Sequence, residues 1–137
     1  REETNLYQTE RATKVGASVI QVIYNRLRRQ PETTVFPLCQ QQDLGVLARV
    51  PLASGFLSGK YKPGDQFPAN DVRATQNQES VQQSLREVEQ IQQNEVPAGV
   101  PMATWALAWW WRSTVMPPPA SLARAPADHL TPHTLAR

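Results

Sequence analysis

At 137 residues, with 40% apolar and 19% charged side chains, the chain has the size and composition of one globular domain. No apolar run approaches the ~18 residues needed to cross a bilayer, and no basic segment leads an apolar one at the N-terminus, which argues against a membrane span and against secretion. Of the 14 basic and 12 acidic residues, three and one lie beyond residue 111, so the body of the chain is neutral and gives no electrostatic reason to expect a nucleic-acid partner.

The single Cys39 excludes an internal disulfide and fits a reducing, cytoplasmic setting, where it is expected as a small buried apolar residue. The only histidines, His129 and His133, lie far along the chain, so no Cys–His pair is expected. No metal-ligand spacing occurs. The first residue is not Met, which predicts a start inside a longer reading frame.

Residues 1–15 are polar and mixed in charge, as in a frayed helix or the remnant of an upstream element. Residues 18–24 read Ser-Val-Ile-Gln-Val-Ile-Tyr, the β-branched and aromatic composition of a strand buried on both faces. Gln21 interrupts it, and a buried amide there needs a partner or a ligand. A basic patch follows at Arg26, Arg28 and Arg29. A short helix is expected over 34–42 with Pro37 in its first turn and Gly45 as its stop signal. Residues 46–50 form a second apolar run, so strand, helix and strand succeed one another as a βαβ unit with a parallel sheet.

Residues 51–77 carry Gly55, Gly59, Pro63, Gly64 and Pro68 and read as a long loop, a kind usually kept for function. Val81, Leu85, Val88 and Ile91 then recur at helical spacing and predict a helix over 78–94, ended by Pro97 and Gly99. A second helix begins near Pro101 and is apolar almost all round, so it is expected to be buried. From residue 112 the composition changes. Five Pro, five Ala and three Arg in 26 positions, without periodicity and with Pro117-Pro118-Pro119, predict a disordered tail.

Three motifs now resemble the aldo-keto reductases, NAD(P)H-dependent (β/α)8-barrel oxidoreductases. Gln21-Val22-Ile23-Tyr24-Asn25 is similar to the family's sixth barrel strand. Gly45-Val46-Leu47-Ala48-Arg49-Val50-Pro51-Leu52-Ala53-Ser54-Gly55 resembles the seventh strand and the cofactor loop after it. Pro101-Met102-Ala103-Thr104-Trp105-Ala106-Leu107-Ala108-Trp109 resembles the family's Leu-Ala-Leu-Ala-Trp helix. Order and spacing agree over roughly residues 16–110. The resemblance implies an α/β fold, an incomplete TIM-type barrel holding strands six and seven with the following helices. The domain organisation expected is a polar segment 1–15, a partial barrel 16–111 and a tail 112–137.

The resemblance further implies NADP as cofactor and a small-molecule carbonyl substrate reduced by hydride transfer. Gln21 matches the glutamine that contacts the nicotinamide carboxamide. Arg49 stands where many members have a tyrosine stacked on the nicotinamide, and a guanidinium plane can also stack or pair with phosphate. Pro51, Leu52, Ser54 and Gly55 match the segment facing the pyrophosphate, and Lys60 is a further phosphate candidate. The family's catalytic aspartate, tyrosine, lysine and histidine lie in the first half of its chain, so no catalytic residue is assigned, and Tyr7, Tyr24 and Tyr61 stand in other contexts. The eighth strand and the 2′-phosphate loop expected after Trp111 are replaced by the Pro/Ala/Arg segment, which predicts a frameshift near Trp110. Two other readings stand beside a reductase lineage: a non-catalytic fragment, and a binding module using the arginine patch and Trp109-Trp110-Trp111.

Overall fold

The computed structural model describes residues 2–112, with side chains from Leu6 to Trp111. The tail expected to be disordered and both histidines lie outside the described residues, as does the sequence that would follow the frameshift expected near Trp110. Four helices and two strands appear among the described residues: α1 (Glu2–Glu10), β1 (Val19–Ile23), α2 (Val35–Gln41), β2 (Gly45–Arg49), α3 (Gln78–Asn94) and α4 (Met102–Arg112). Short 3-10 segments at Thr13–Val15, Gln30–Glu32 and Ala53–Ser58 join them.

β1 and β2 pair in parallel, with Val19 opposite Gly45, Gln21 opposite Leu47 and Ile23 opposite Arg49. The crossover between them contains α2, as the alternation of the sequence demands. Because side chains alternate across a strand, Val22 and Tyr24 of the β1 segment enter one side of the sheet with Phe36, Cys39 and Leu44, and Ile20, Val46 and Ala48 pack against them. Tyr24 meets Phe36 edge-on at 4.9 Å. Burial pushes the Cys39 thiol pKa up, consistent with an inert apolar role.

The other face of the sheet departs from expectation. Val19 is 47% and Leu47 57% exposed, and Gln21 and Arg49 are exposed beside them. β1 is therefore covered on one face only. The composition of the strand suited burial on both faces, but the described residues supply no layer for the second. Gln21 consequently needs no internal partner.

α2 ends one turn earlier than Gly45. Asp43, at φ 52°, makes the left-handed turn, and Gly45 is already the first residue of β2, its N–H donating to the Ser18 C=O at 2.9 Å. Asp tolerates this conformation through its short polar side chain. α3 spans the expected residues. The Asn77 side chain caps it by accepting from the Ser80 N–H, and Val81, Leu85, Val88 and Ile91 are all buried.

That stripe packs with Phe56, Leu57, Met102 and Ala106 into a second core, which fixes the segment after β2 against α3 and α4. α4 is buried along one stripe only. Leu107 is 46% and Trp111 80% exposed, so an apolar helix has its outer side open. No helix among the described residues is long and apolar enough to cross a membrane.

Candidate cofactor site

The C-terminal ends of β1 and β2 stand side by side, and the loops leaving them are tied together. Asn25, buried just beyond β1, donates from Nδ2 to the Val50 C=O at 3.0 Å and accepts the Leu27 N–H on Oδ1 at 3.0 Å. Tyr24 extends the pairing, its N–H donating to the Arg49 C=O at 3.2 Å. The side chain of Tyr24 is fully buried, and its hydroxyl donates to Glu32 at 2.8 Å. Arg29 grips the same carboxylate through Nε at 2.8 Å and Nη2 at 2.9 Å. The hydrogen bonds from Arg29, then the one from Tyr24, hold Glu32 below the usual carboxylate range against the opposing effect of burial.

The basic patch is therefore engaged. Arg26 is paired bidentately with Glu95 at the C-terminal end of α3, and the Arg26 and Arg29 guanidiniums lie 6.0 and 5.8 Å from the Trp109 ring. Trp109 itself rests on Tyr24 at 5.6 Å. Two of the three arginines and the first Trp of the run are thus built into the protein rather than displayed as a nucleic-acid surface.

Gln21 and Arg49 behave otherwise. Both project from the open face of the sheet, two register steps apart, and both line a cleft of about 190 Å³ with Leu6, Ile23, Arg28 and Pro31. Neither side chain has a hydrogen-bond or ion-pair partner among the described residues. An unengaged amide at the middle of β1 and an unengaged guanidinium at the C-terminal end of β2 form a polar pair free to meet a ligand.

After Arg49 the backbone is strained. Val50, Ala53 and Ser54 have φ of 56°, 50° and 55°, and Gly55 has 91°. A left-handed β-branched residue is a genuine outlier, and each such non-glycine residue costs of order 1–3 kcal/mol, so the surroundings must hold it. They do so through several bonds. The Ala53 N–H donates to the Val50 C=O at 2.9 Å, and the Leu52 C=O accepts from Gly55 at 2.9 Å and Leu57 at 3.1 Å. Ser58 Oγ donates to the Gly55 C=O at 2.6 Å.

The predicted phosphate residues fall unevenly on this turn. Pro51, Leu52 and Gly55 are half-buried, with Leu52 packed on the α3–α4 core, while Ser54 is exposed. The Gly55 amide is already bonded to Leu52. Lys60 is exposed, with its ammonium 5.5 Å from the Tyr61 ring. Gln21 and Arg49 share one cleft, and Pro51, Leu52, Ser54 and Gly55, none of which lines it, share the strained turn that follows β2. The cleft is lined by the Gln21 amide and the Arg49 guanidinium together with Leu6, Val22 and Val35 of the covered core, and at about 190 Å³ it has room for one polar head group, not for a whole dinucleotide.

Sequence reasoning missed Asn25 as an organising residue and Arg73 altogether. The signal for the first was a lone polar residue closing an apolar strand. Arg73 sits in a loop without periodicity and carried no signal. Among the described residues no group of three or more His, Cys, Asp or Glu side chains is arranged to hold a metal ion.

Comparison with known proteins agrees with this architecture. The model of the aldo/keto reductase family matches residues 3–127, a wider span than the motifs alone marked, taking in α1 and residues beyond α4. A probable voltage-gated potassium channel subunit beta from Arabidopsis thaliana is 33% identical over 106 residues, 73% of this chain and 32% of that protein. The corresponding protein from Oryza sativa subsp. japonica is 34% identical over 101 residues, 69% of this chain and 31% of the relative. The aldo-keto reductase yakc [NADP(+)] of Schizosaccharomyces pombe is 29% identical over 98 residues, 67% of this chain and 29% of that one. Among solved structures, the glycerol dehydrogenase AKR11B4 from Gluconobacter oxydans matches with a TM-score of 0.59 at 23% identity, over 69% of this chain and 30% of its own, which supports the α/β fold. The chain spans about a third of the length of the curated relatives it matches. Parallel strands with a helical crossover, a strained turn after the second strand and a family match over nearly the whole length lead to one conclusion: the chain belongs to the aldo/keto reductase family.

Proposed function

We propose that this chain is the cofactor-facing segment of an NAD(P)H-dependent carbonyl reductase. β1 and β2 act as neighbouring strands of an incomplete (β/α)8 barrel whose open face is the barrel interior. The observation that carries the reading is the pair Gln21 and Arg49, partnerless side chains on that face at the mouth of one cleft. Gln21 holds the carboxamide, and Arg49 lies against the nicotinamide or a phosphate. Pro51, Leu52, Ser54 and Gly55 shape the backbone that faces the pyrophosphate, with Lys60 adding a positive charge. Bound NAD(P)H supplies the hydride for a small carbonyl substrate.

The 137-residue chain alone binds nucleotide weakly and does not turn over. A proton donor is needed beside the hydride, and no described tyrosine lines the cleft with Gln21 and Arg49: the Tyr24 hydroxyl donates to Glu32, the Tyr61 hydroxyl accepts from Arg73 at 2.9 Å, and Tyr7 lies on α1 against Arg11. The test is NADP+ titration together with carbonyl-dependent NADPH oxidation by the purified chain. Binding without oxidation supports the reading. Turnover overturns its inactive-fragment component, and no binding at millimolar NADP+ overturns the cofactor assignment.

A non-catalytic reading has one specific support, the potassium channel subunit beta descriptions of the two relatives above 30% identity. It predicts co-purification of the protein with a potassium channel, which a pull-down from membranes of the source cells would reveal.

A further inference from the structure

The loop 60–77 contains a compact charged device. Arg73 donates from Nε to Asp71 Oδ1 at 2.8 Å and from Nη2 to Oδ2, closing a bidentate pair within a three-residue turn. Its guanidinium carbon lies 4.3 Å from the centroids of both the Tyr61 and Phe67 rings. Nη2 also donates to the Tyr61 hydroxyl.

The remaining nitrogen points at the strained turn. Nη1 donates to the Ser54 C=O at 3.4 Å, and a Cβ built on Gly55 would stand 3.2 Å from Nη1. The guanidinium therefore occupies the side of Gly55 where any other residue would carry its side chain. Ser54 is a non-glycine residue in the left-handed region, and its carbonyl accepts the Arg73 Nη1 hydrogen bond. Aromatic stacking, the Asp71 pair and the Tyr61 bond together leave the guanidinium one orientation.

We infer that Arg73, held by Asp71, is the positioning residue for the turn Ser54–Gly55, so that loop 60–77 sets how well the turn is shaped for a dinucleotide. Its dinucleotide consequence rests on the reading above, whereas its effect on the turn does not. Lys at position 73 is a poor substitute, because an ammonium lacks the planar fork that bonds Asp71 bidentately while its other nitrogen reaches Ser54 and its plane lies against two rings.

The experiment uses the 137-residue chain, hydrogen exchange of amides 53–59 as one readout and NADP+ affinity as the other. Arg73→Gly and Asp71→Asn should each speed exchange across 53–59 by ~10-fold while α3 keeps its protection. Millimolar guanidinium chloride, but not sodium chloride, should restore protection in Arg73→Gly by refilling the place of the Arg73 head group beside Asp71, Tyr61 and Phe67. NADP+ affinity should fall and recover in step. Unchanged exchange in both variants overturns the inference. So does loss that spreads equally into α3 in both variants with no rescue by guanidinium. If the wild-type chain binds no NADP+ but the exchange pattern holds, the cofactor reading fails and the positioning of the turn stands.

Discussion

Asn25 Nδ2 and the Val50 carbonyl, 3.0 Å apart, join the ends of the two strands at the point where the strained turn after β2 begins. Asn25 is buried, and its other side-chain atom accepts the Leu27 amide. One side chain thus fixes the exit from β1 and the left-handed residue that begins the strained turn.

Replacing Asn25 with Ala removes both bonds and leaves the Leu27 amide and one Val50 acceptor site to find new partners. The expected loss is about 2–3 kcal/mol of stability, since buried groups left unsatisfied cost about 1–3 kcal/mol. Urea unfolding followed by circular dichroism measures it, and a midpoint equal to wild type would show that the bond is dispensable.

Gly59 and Gly16 offer a matched comparison. Both are left-handed, at φ 79° and 80°, but a Cβ on Gly59 would stand 2.9 Å from Met102 Cβ, while one on Gly16 meets nothing within 4 Å. Gly16→Ala should cost ~1 kcal/mol from backbone conformation alone. Gly59→Ala should cost that plus the displacement of α4, ~2–4 kcal/mol together. Thermal or urea unfolding of the two variants checks the difference, and equal losses would refute close packing of the turn on α4.

Gln21→Leu separates binding from folding. The side chain is exposed and without a partner among the described residues, so stability should stay within about 0.5 kcal/mol of wild type. NADP+ affinity should fall by ~10-fold, the worth of a net hydrogen bond. Parallel unfolding and fluorescence titrations decide. A large stability loss would mean that Gln21 is structural.

Acid should release the Asp71–Arg73 pair at an unusually low pH. The side-chain and backbone hydrogen bonds from Arg73 hold the Asp71 carboxyl at about 2, below its ordinary 3.8. A depressed folded-state value means that the stabilisation is complete above about pH 4 and disappears as pH falls through 2. In Asp71→Asn this part of the acid dependence should vanish, leaving a shallower decline in stability between pH 4 and 2. Unfolding midpoints at stepped pH measure it, and identical profiles for the two proteins would show that the pair is not formed in solution.

The sequence alone determined a good deal. Helix α3 was legible because Val81, Leu85, Val88 and Ile91 repeat at the helical period, and their burial follows from that spacing wherever the helix lies. The βαβ unit was legible because two β-branched runs flank a helix-length segment. The family was legible from three short motifs in the right order and spacing.

Only the tertiary structure decided the remainder. Apolar composition cannot reveal whether a second layer exists, so it could not show that one face of β1 and the outer side of α4 lie open. Nor can spacing show that Arg26 and Arg29 are already paired with Glu95 and Glu32, since the first partner is distant in sequence. The Pro51–Gly59 turn was marked by its residues, but its left-handed run at Val50, Ala53 and Ser54 is imposed from outside. Asn25 and Arg73 reach it across 25 and 19 residues of chain, contacts that no local pattern encodes and that folding alone creates.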